Sequence, residues 1–346
     1  MPNHIFTTPP FLQCHGSTLI SLSDGSIAVA WFAGSREGHS DTSIWWCRQR
    51  NGEWEQPFEL VKCGNVAHWN PVLHSSGDGT LSMYFKTGKF PDSWDTWFLT
   101  MDENGCVLSE AVMLDSQDLE QGKMTLGPVR GKMIVTSKGT LIAPSSIEKV
   151  LNKRLVGWMV KRDALWNSVI HRSVDNGKTW TSVIVPFLRQ NDELGGIIQP
   201  SVWEGPRGCL AALFRSTNGV LYRSESNDDG VTWTTAWQTI IPNPNSAVDV
   251  AKLGNVVALI YNPIDGNWAR RSPLSVAFAE SESGLSFKEP VHIENGPGSY
   301  SYPAIIATSN GFAATYTWNR RTIAFVNIGI DNGCPVIEAG PKPYSF

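Results

Sequence analysis

The chain has 346 residues with 28 basic and 32 acidic side chains, a formal net charge of −4. That balance, without a Lys/Arg stripe, excludes a nucleic-acid-binding face or a basic membrane surface. No apolar run approaches the roughly 18–20 residues of a membrane span.

Residues 1–10 lack a basic stretch followed by an apolar one, so no signal peptide is read there. No Asn-x-Ser/Thr sequon occurs. Both points favour a cytoplasmic chain, a secreted mature form being the alternative. The six cysteines have no CxxC spacing and are read as free thiols packed in strands. The seven histidines are dispersed without metal-ligand spacing, so neither metal nor cofactor is expected.

Six times in succession an apolar run, a tight glycine turn and a second apolar run appear. The turn glycines are Gly25, Gly79, Gly139, Gly208, Gly254 and Gly311. After each turn comes a run rich in β-branched or aromatic residues: 26–32, 80–85, 140–143, 209–214, 256–261 and 312–318. No long segment keeps a helical period. A further loop follows several of these pairs. It is clearest at Ser173-Val174-Asp175-Asn176-Gly177-Lys178-Thr179-Trp180 and recurs at Ser226-Asn227-Asp228-Asp229-Gly230-Val231-Thr232-Trp233. Propeller blades repeat about every 40–50 residues. The chain is therefore read as all-β, a six-bladed β-propeller forming one domain over residues 1–346. An N-terminal strand is expected to complete the last blade, since an open edge would remain otherwise. Residues 150–166, with Lys153, Arg154, Lys161 and Arg162, are read as an insertion, either a lid or a solvated loop.

In such a blade, residues just before the first strand and just after the second converge on one face. Entry positions are His15, Asn70, Pro128, Gln199, Asn245 and Tyr300. Exit positions are Arg36, Lys86, Ser145, Ser146, Glu148, Arg215, Asn262 and the Asn319-Arg320-Arg321 stretch, with Arg270 and Arg271 nearby. Exposed blade ends carry polar residues anyway. Several guanidiniums aimed at one cavity, however, repel each other unless an anion joins them.

The whole pattern resembles the sialidase superfamily, in its BNR-repeat, Asp-box branch. The resemblance rests on the two Ser-x-Asp-x-Gly-x-Thr-Trp loops and on five more specific segments. These are Ala30-Trp31-Phe32-Ala33-Gly34-Ser35-Arg36-Glu37-Gly38, Trp69-Asn70-Pro71-Val72-Leu73, Ile198-Gln199-Pro200-Ser201, Pro242-Asn243-Pro244-Asn245-Ser246 and Tyr300-Ser301-Tyr302-Pro303. It implies three arginines gripping a substrate carboxylate, a Tyr nucleophile activated by a Glu, and an Asp acid/base, an exception to the two-carboxylate scheme. By resemblance, Tyr300 is the nucleophile, Asp41 the acid/base, Arg215 the second arginine and Arg270 or Arg271 the third.

Two positions depart from the family. His15-Gly16-Ser17 stands where an Arg-Ile-Pro is expected, and the neutral Gln199 stands where the activating Glu is expected. Glu148 is the alternative base, and His15 is either an anion ligand or a base. Arg36 is read as a substrate ligand or as a structural ion pair with Glu37 or Asp41. Asn70, Lys86, Asn245, Asn262, Tyr302 and Arg320 complete the expected binding set. The resemblance implies an exo-acting glycosidase on a carboxylate-bearing sugar or similar acidic small molecule. The alternatives are a polysaccharide lyase on the same pocket and a glycan-binding propeller without turnover. Oligomeric state is left open.

Overall fold

The computed structural model describes residues 3–156, 159–189 and 194–338, excluding the side chains of residues 155–161. The fold is all-β, without an α-helix among the described residues. Six antiparallel meanders follow one another. Their first strands are Gln13–Ser21, His68–Ser75, Ile134–Val135, Gly195–Glu204, Asp249–Leu253 and Tyr300–Thr308. Five of the six expected turn glycines lie between first and second strands, as at Gly25 between Gln13–Ser21 and Ile27–Gly34, and Gly311 opens its second strand. The predicted 256–261 run is the strand Val256–Tyr261, and 80–85 grows to Thr80–Thr87.

The sixth meander is completed by Asn3–His4, which pairs antiparallel with Thr322–Asp331 through Asn3↔Phe325 and His4↔Ala324. Meanders three and four share one sheet, because Leu165 and Trp166 pair in parallel with Gly195 and Gly196. The cores lie between neighbouring meanders. One cluster joins Ala30, Phe32 and Trp46 of the first to Leu81, Met83 and Phe85 of the second. Another joins Ile260 and Phe278 of the fifth to Phe312 and Tyr316 of the sixth.

The Ser-x-Asp-x-Gly-x-Thr-Trp loops are local hydrogen-bond modules. In each, the Ser hydroxyl donates to the Asp (2.8 Å) and accepts from the Gly N–H (2.8 Å at Gly177, 2.9 Å at Gly230). The other Asp oxygen accepts the Thr hydroxyl at 2.6 Å in both. The loops close without touching the predicted pocket residues.

Residues 150–156 and 159–166 are not a loose loop. They belong to the strands Leu141–Val156 and Met159–Ser173, which pair antiparallel over their length. The hairpin docks on the loop before Asp95–Asp102: Arg162 pairs with Asp92 and lies over the Phe90 ring at 4.1 Å. Arg154 pairs with Asp163. The side chain of Lys161 lies outside the described residues.

Candidate functional site

One backbone device repeats in all six meanders. Gly16, Asn70, Gly127, Gln199, Asn245 and Tyr302 all have left-handed φ, between +41° and +83°. Proline follows at Asn70, Gly127, Gln199 and Tyr302, and serine at Gly16 and Asn245. In four meanders the pairing register shows a bulge there, two residues opposing one. The residue opposed is Trp31, Phe85, Phe214 or Tyr316, each among the largest fully buried side chains. The bulge turns the side chain of its left-handed residue out of the strand's alternation, an uncommon conformation for anything but glycine. Three polar side chains, Asn70, Gln199 and Tyr302, are held this way, and Asn245 shares the left-handed backbone without the bulge.

Arg215 joins three of these positions. Its Nε donates to Asn245 Oδ1 at 2.8 Å, and one terminal nitrogen donates to Gln199 Oε1 at 3.1 Å and to the Tyr302 hydroxyl at 3.3 Å. Asn245 in turn donates to Asn267 Oδ1 at 2.8 Å. The Arg215 guanidinium carbon lies 5.6 Å from the Trp166 ring and 5.7 Å from Trp268. Around the Tyr302 ring stand Arg130 at 5.2 Å, Arg271 at 5.6 Å and the His15 imidazole at 4.1 Å. Arg320 belongs to the same field and is ion-paired with Glu37.

The electrostatics follow from this crowding. Burial drives the His15 pKa well below its usual value, and Arg320, Arg271, Arg130 and Arg215 push the same way, so His15 is neutral. Its Nδ1 is 3.0 Å from the Thr317 hydroxyl. Burial alone raises the Tyr302 phenol, but Arg215 and Arg271 outweigh it, helped by a hydrogen bond from Gln199. The phenol is held below its ordinary range. Glu148 faces Trp166 across the hairpin and hydrogen-bonds with it. Burial pushes its carboxyl up to about 7 against the pull of Arg215. Arg215 and Arg271 have no carboxylate salt-bridge partner among the described residues.

Several expected site residues lie elsewhere. Tyr300, expected as nucleophile, packs in a core cluster against Tyr316 and Trp318, and its hydroxyl donates to Pro297 O at 3.4 Å. Tyr302, two residues on, occupies the arginine field. Lys86 is buried and turned away, its Nζ donating to the hydroxyls of Thr96 and Thr125. Asn262 is a backbone brace, donating to Pro273 O at 2.8 Å and Tyr300 O at 3.0 Å. Arg36 and Arg270 are exposed, without an ion pair among the described residues. Asp41 closes its own loop, accepting from the Ser35 N–H at 2.9 Å and the Ser35 hydroxyl at 3.0 Å. Those bonds outweigh partial burial and hold its carboxyl below the usual range. Asn70 is buried, its Oδ1 3.0 Å from where a Cβ on Gly16 would stand.

Arg130, Trp166, Trp268 and Asn267 were not among the expected residues. Arg130 follows Gly127-Pro128, the third copy of the left-handed residue and proline, which is the one signal that could have found it. The same register picks Tyr302-Pro303 over Tyr300.

A family model described as a BNR repeat-like domain matches residues 25–314. The chain belongs to this sialidase-like family of BNR repeats. No curated protein matches it. Among solved structures, a protein of unknown function from Dyadobacter fermentans has 17% identity and a TM-score of 0.72, covering 94% of this chain and 96% of its own. A leech intramolecular trans-sialidase complexed with 2,7-anhydro-Neu5Ac has 13% identity and a TM-score of 0.70, covering 94% of this chain and 70% of its own. Trypanosoma rangeli sialidase in complex with sialic acid has 14% identity and a TM-score of 0.68, covering 94% of this chain. This chain spans 56% of that sialidase. At these identities the likeness is one of fold.

Proposed function

We propose that the six meanders are blades of a single six-bladed β-propeller, and that it is an exo-acting glycosidase on a carboxylate-bearing sugar. One observation carries the reading. Arg215 and Arg271 meet at Tyr302 without a carboxylate salt-bridge partner among the described residues, so the site calls for an anion that the protein does not supply. Sialidases with the same fold, one of them holding sialic acid, support an acidic sugar as that anion.

In this reading the substrate carboxylate lies between Arg215 and Arg271, and Arg320 is the third cation. The Tyr302 oxygen attacks the anomeric carbon. Arg215 and Arg271, which hold the phenol below its ordinary range, ease the loss of its proton to solvent as it attacks. That answers the neutral Gln199, which serves as a hydrogen-bonding partner of the phenol. Glu148, protonated about half the time near neutral pH, passes its proton to the departing oxygen. Water then displaces the tyrosine from the anomeric carbon, with Glu148 taking a proton back. Asp41 is held ionised by Ser35 and is poorly suited to be the acid.

A second reading rests on the same Gln199. With no carboxylate hydrogen-bonded to Tyr302 among the described residues, the Tyr302 oxygen instead removes a proton adjacent to the substrate carboxylate, giving elimination. A panel of acidic glycosides distinguishes the two. New reducing ends without ultraviolet absorbance mean hydrolysis, and an unsaturated product means elimination. Binding without either product overturns both.

A further inference from the structure

A cavity of about 10 Å³ is lined in part by Thr18, Arg130, Lys132, Asp249 and Ile305. It holds two cations and one carboxylate. That carboxylate is already engaged: Oδ1 accepts from Ser201 at 2.7 Å, and Oδ2 from Lys132 at 2.8 Å and the Ile305 N–H at 2.9 Å. Arg130 is buried, with 7% exposure. Its terminal nitrogens donate to Val248 O and Pro303 O, but its Nε has no partner. A buried guanidinium with a free N–H, sharing its single carboxylate Asp249 with a second cation, is costly.

We propose that this cavity is an anion site that takes one monatomic halide, chloride in solution. The charge excludes a cation, since Arg130 and Lys132 outnumber Asp249. The size admits about one atom-sized occupant, which excludes carboxylate, sulfate and phosphate. A halide accepts the Nε–H of Arg130 and cancels the surplus charge, whereas a water meets only the first need. The site is separate from the sugar pocket, but Arg130 joins them, because the same guanidinium lies 5.2 Å from the Tyr302 ring.

The test uses the whole protein. Crystals soaked in sodium bromide are expected to show an anomalous peak within hydrogen-bonding distance of Arg130 Nε. The thermal midpoint is expected to rise saturably with chloride, but not with methanesulfonate at equal ionic strength. Arg130→Gln, which keeps a donor and removes the charge, is expected to lose both signals. A bromide map with no peak there, equal midpoints in the two salts, or an unchanged peak in Arg130→Gln overturns the proposal. Should the variant not fold, the wild-type measurements decide alone.

Discussion

Lys132 donates to Asp249 at 2.8 Å between residues 117 apart in sequence, joining the third meander to the fifth. Asp249 also accepts from Ser201 of the fourth meander and the Ile305 N–H of the sixth. One buried carboxylate thus gathers four of the six meanders. Asp249→Asn keeps the shape but leaves Lys132 and Arg130 without their shared counter-charge. The expected loss is about 3–5 kcal/mol, read as a lower denaturation midpoint. Lys132→Met in the same background should cost less than it does alone, because the partner is already gone. Strictly additive effects would show that the pair does not couple.

The two tyrosines of the Tyr300-Ser301-Tyr302 segment separate function from packing. Tyr302→Phe removes the hydroxyl facing Arg215 and is expected to lower turnover by about 10²–10⁴-fold while keeping affinity for an acidic sugar. Tyr300→Phe removes only a long hydrogen bond to Pro297 and should leave turnover within a few-fold. The reverse pattern would restore Tyr300 as the reacting residue.

That pair also shows how far the sequence was legible. Strands were readable because an apolar run after a tight glycine turn is a local signal, and Val256–Tyr261 coincides with its predicted span. The candidate site was readable only in part. A strand has period two, so Tyr300 and Tyr302 look equivalent, and the choice fell on the one in a Tyr-Ser pair. The bulge at Tyr302 breaks that parity. Arg130 left little trace, since the carbonyls it binds are 118 and 173 residues away. Lys86 stands near the end of the strand Thr80–Thr87, yet its amine is taken up by Thr96 and by Thr125 of the strand Gly122–Thr125.

Lys86 gives a pH signature of its own. Burial pulls its ammonium down to about 7, with Asp95 opposing. Above the unfolded value both states are neutral, and the lysine has no cost. Between the two values the unfolded chain binds the extra proton, so stability falls as pH drops towards 7, and below that the full penalty applies. Thr96 and Thr125 still bond each other at 2.9 Å without the amine. Lys86→Met is therefore expected to raise the thermal midpoint at pH 6, with a gain that shrinks towards pH 10. A gain independent of pH would mean that packing and not charge is responsible.

Glu148 behaves with the opposite sign. Its folded value of about 7 lies above the ordinary value of 4.5. Below 4.5 both states hold the proton and the group contributes nothing. Between 4.5 and 7 the folded state keeps a proton that the unfolded chain has lost, so stability falls as pH rises. The penalty is complete above 7 and amounts to at most about 3 kcal/mol, less what solvent at this half-buried site screens. Glu148→Gln mimics the protonated form and should flatten that decline, leaving the variant more stable than the parent at pH 8 and equal to it at pH 4. If Glu148 is the proton donor, the same change should remove the alkaline limb of the turnover profile centred near pH 7, together with most of the rate. Turnover that kept its alkaline limb would assign that limb to another group, and an unchanged stability profile would place the Glu148 carboxyl in solvent.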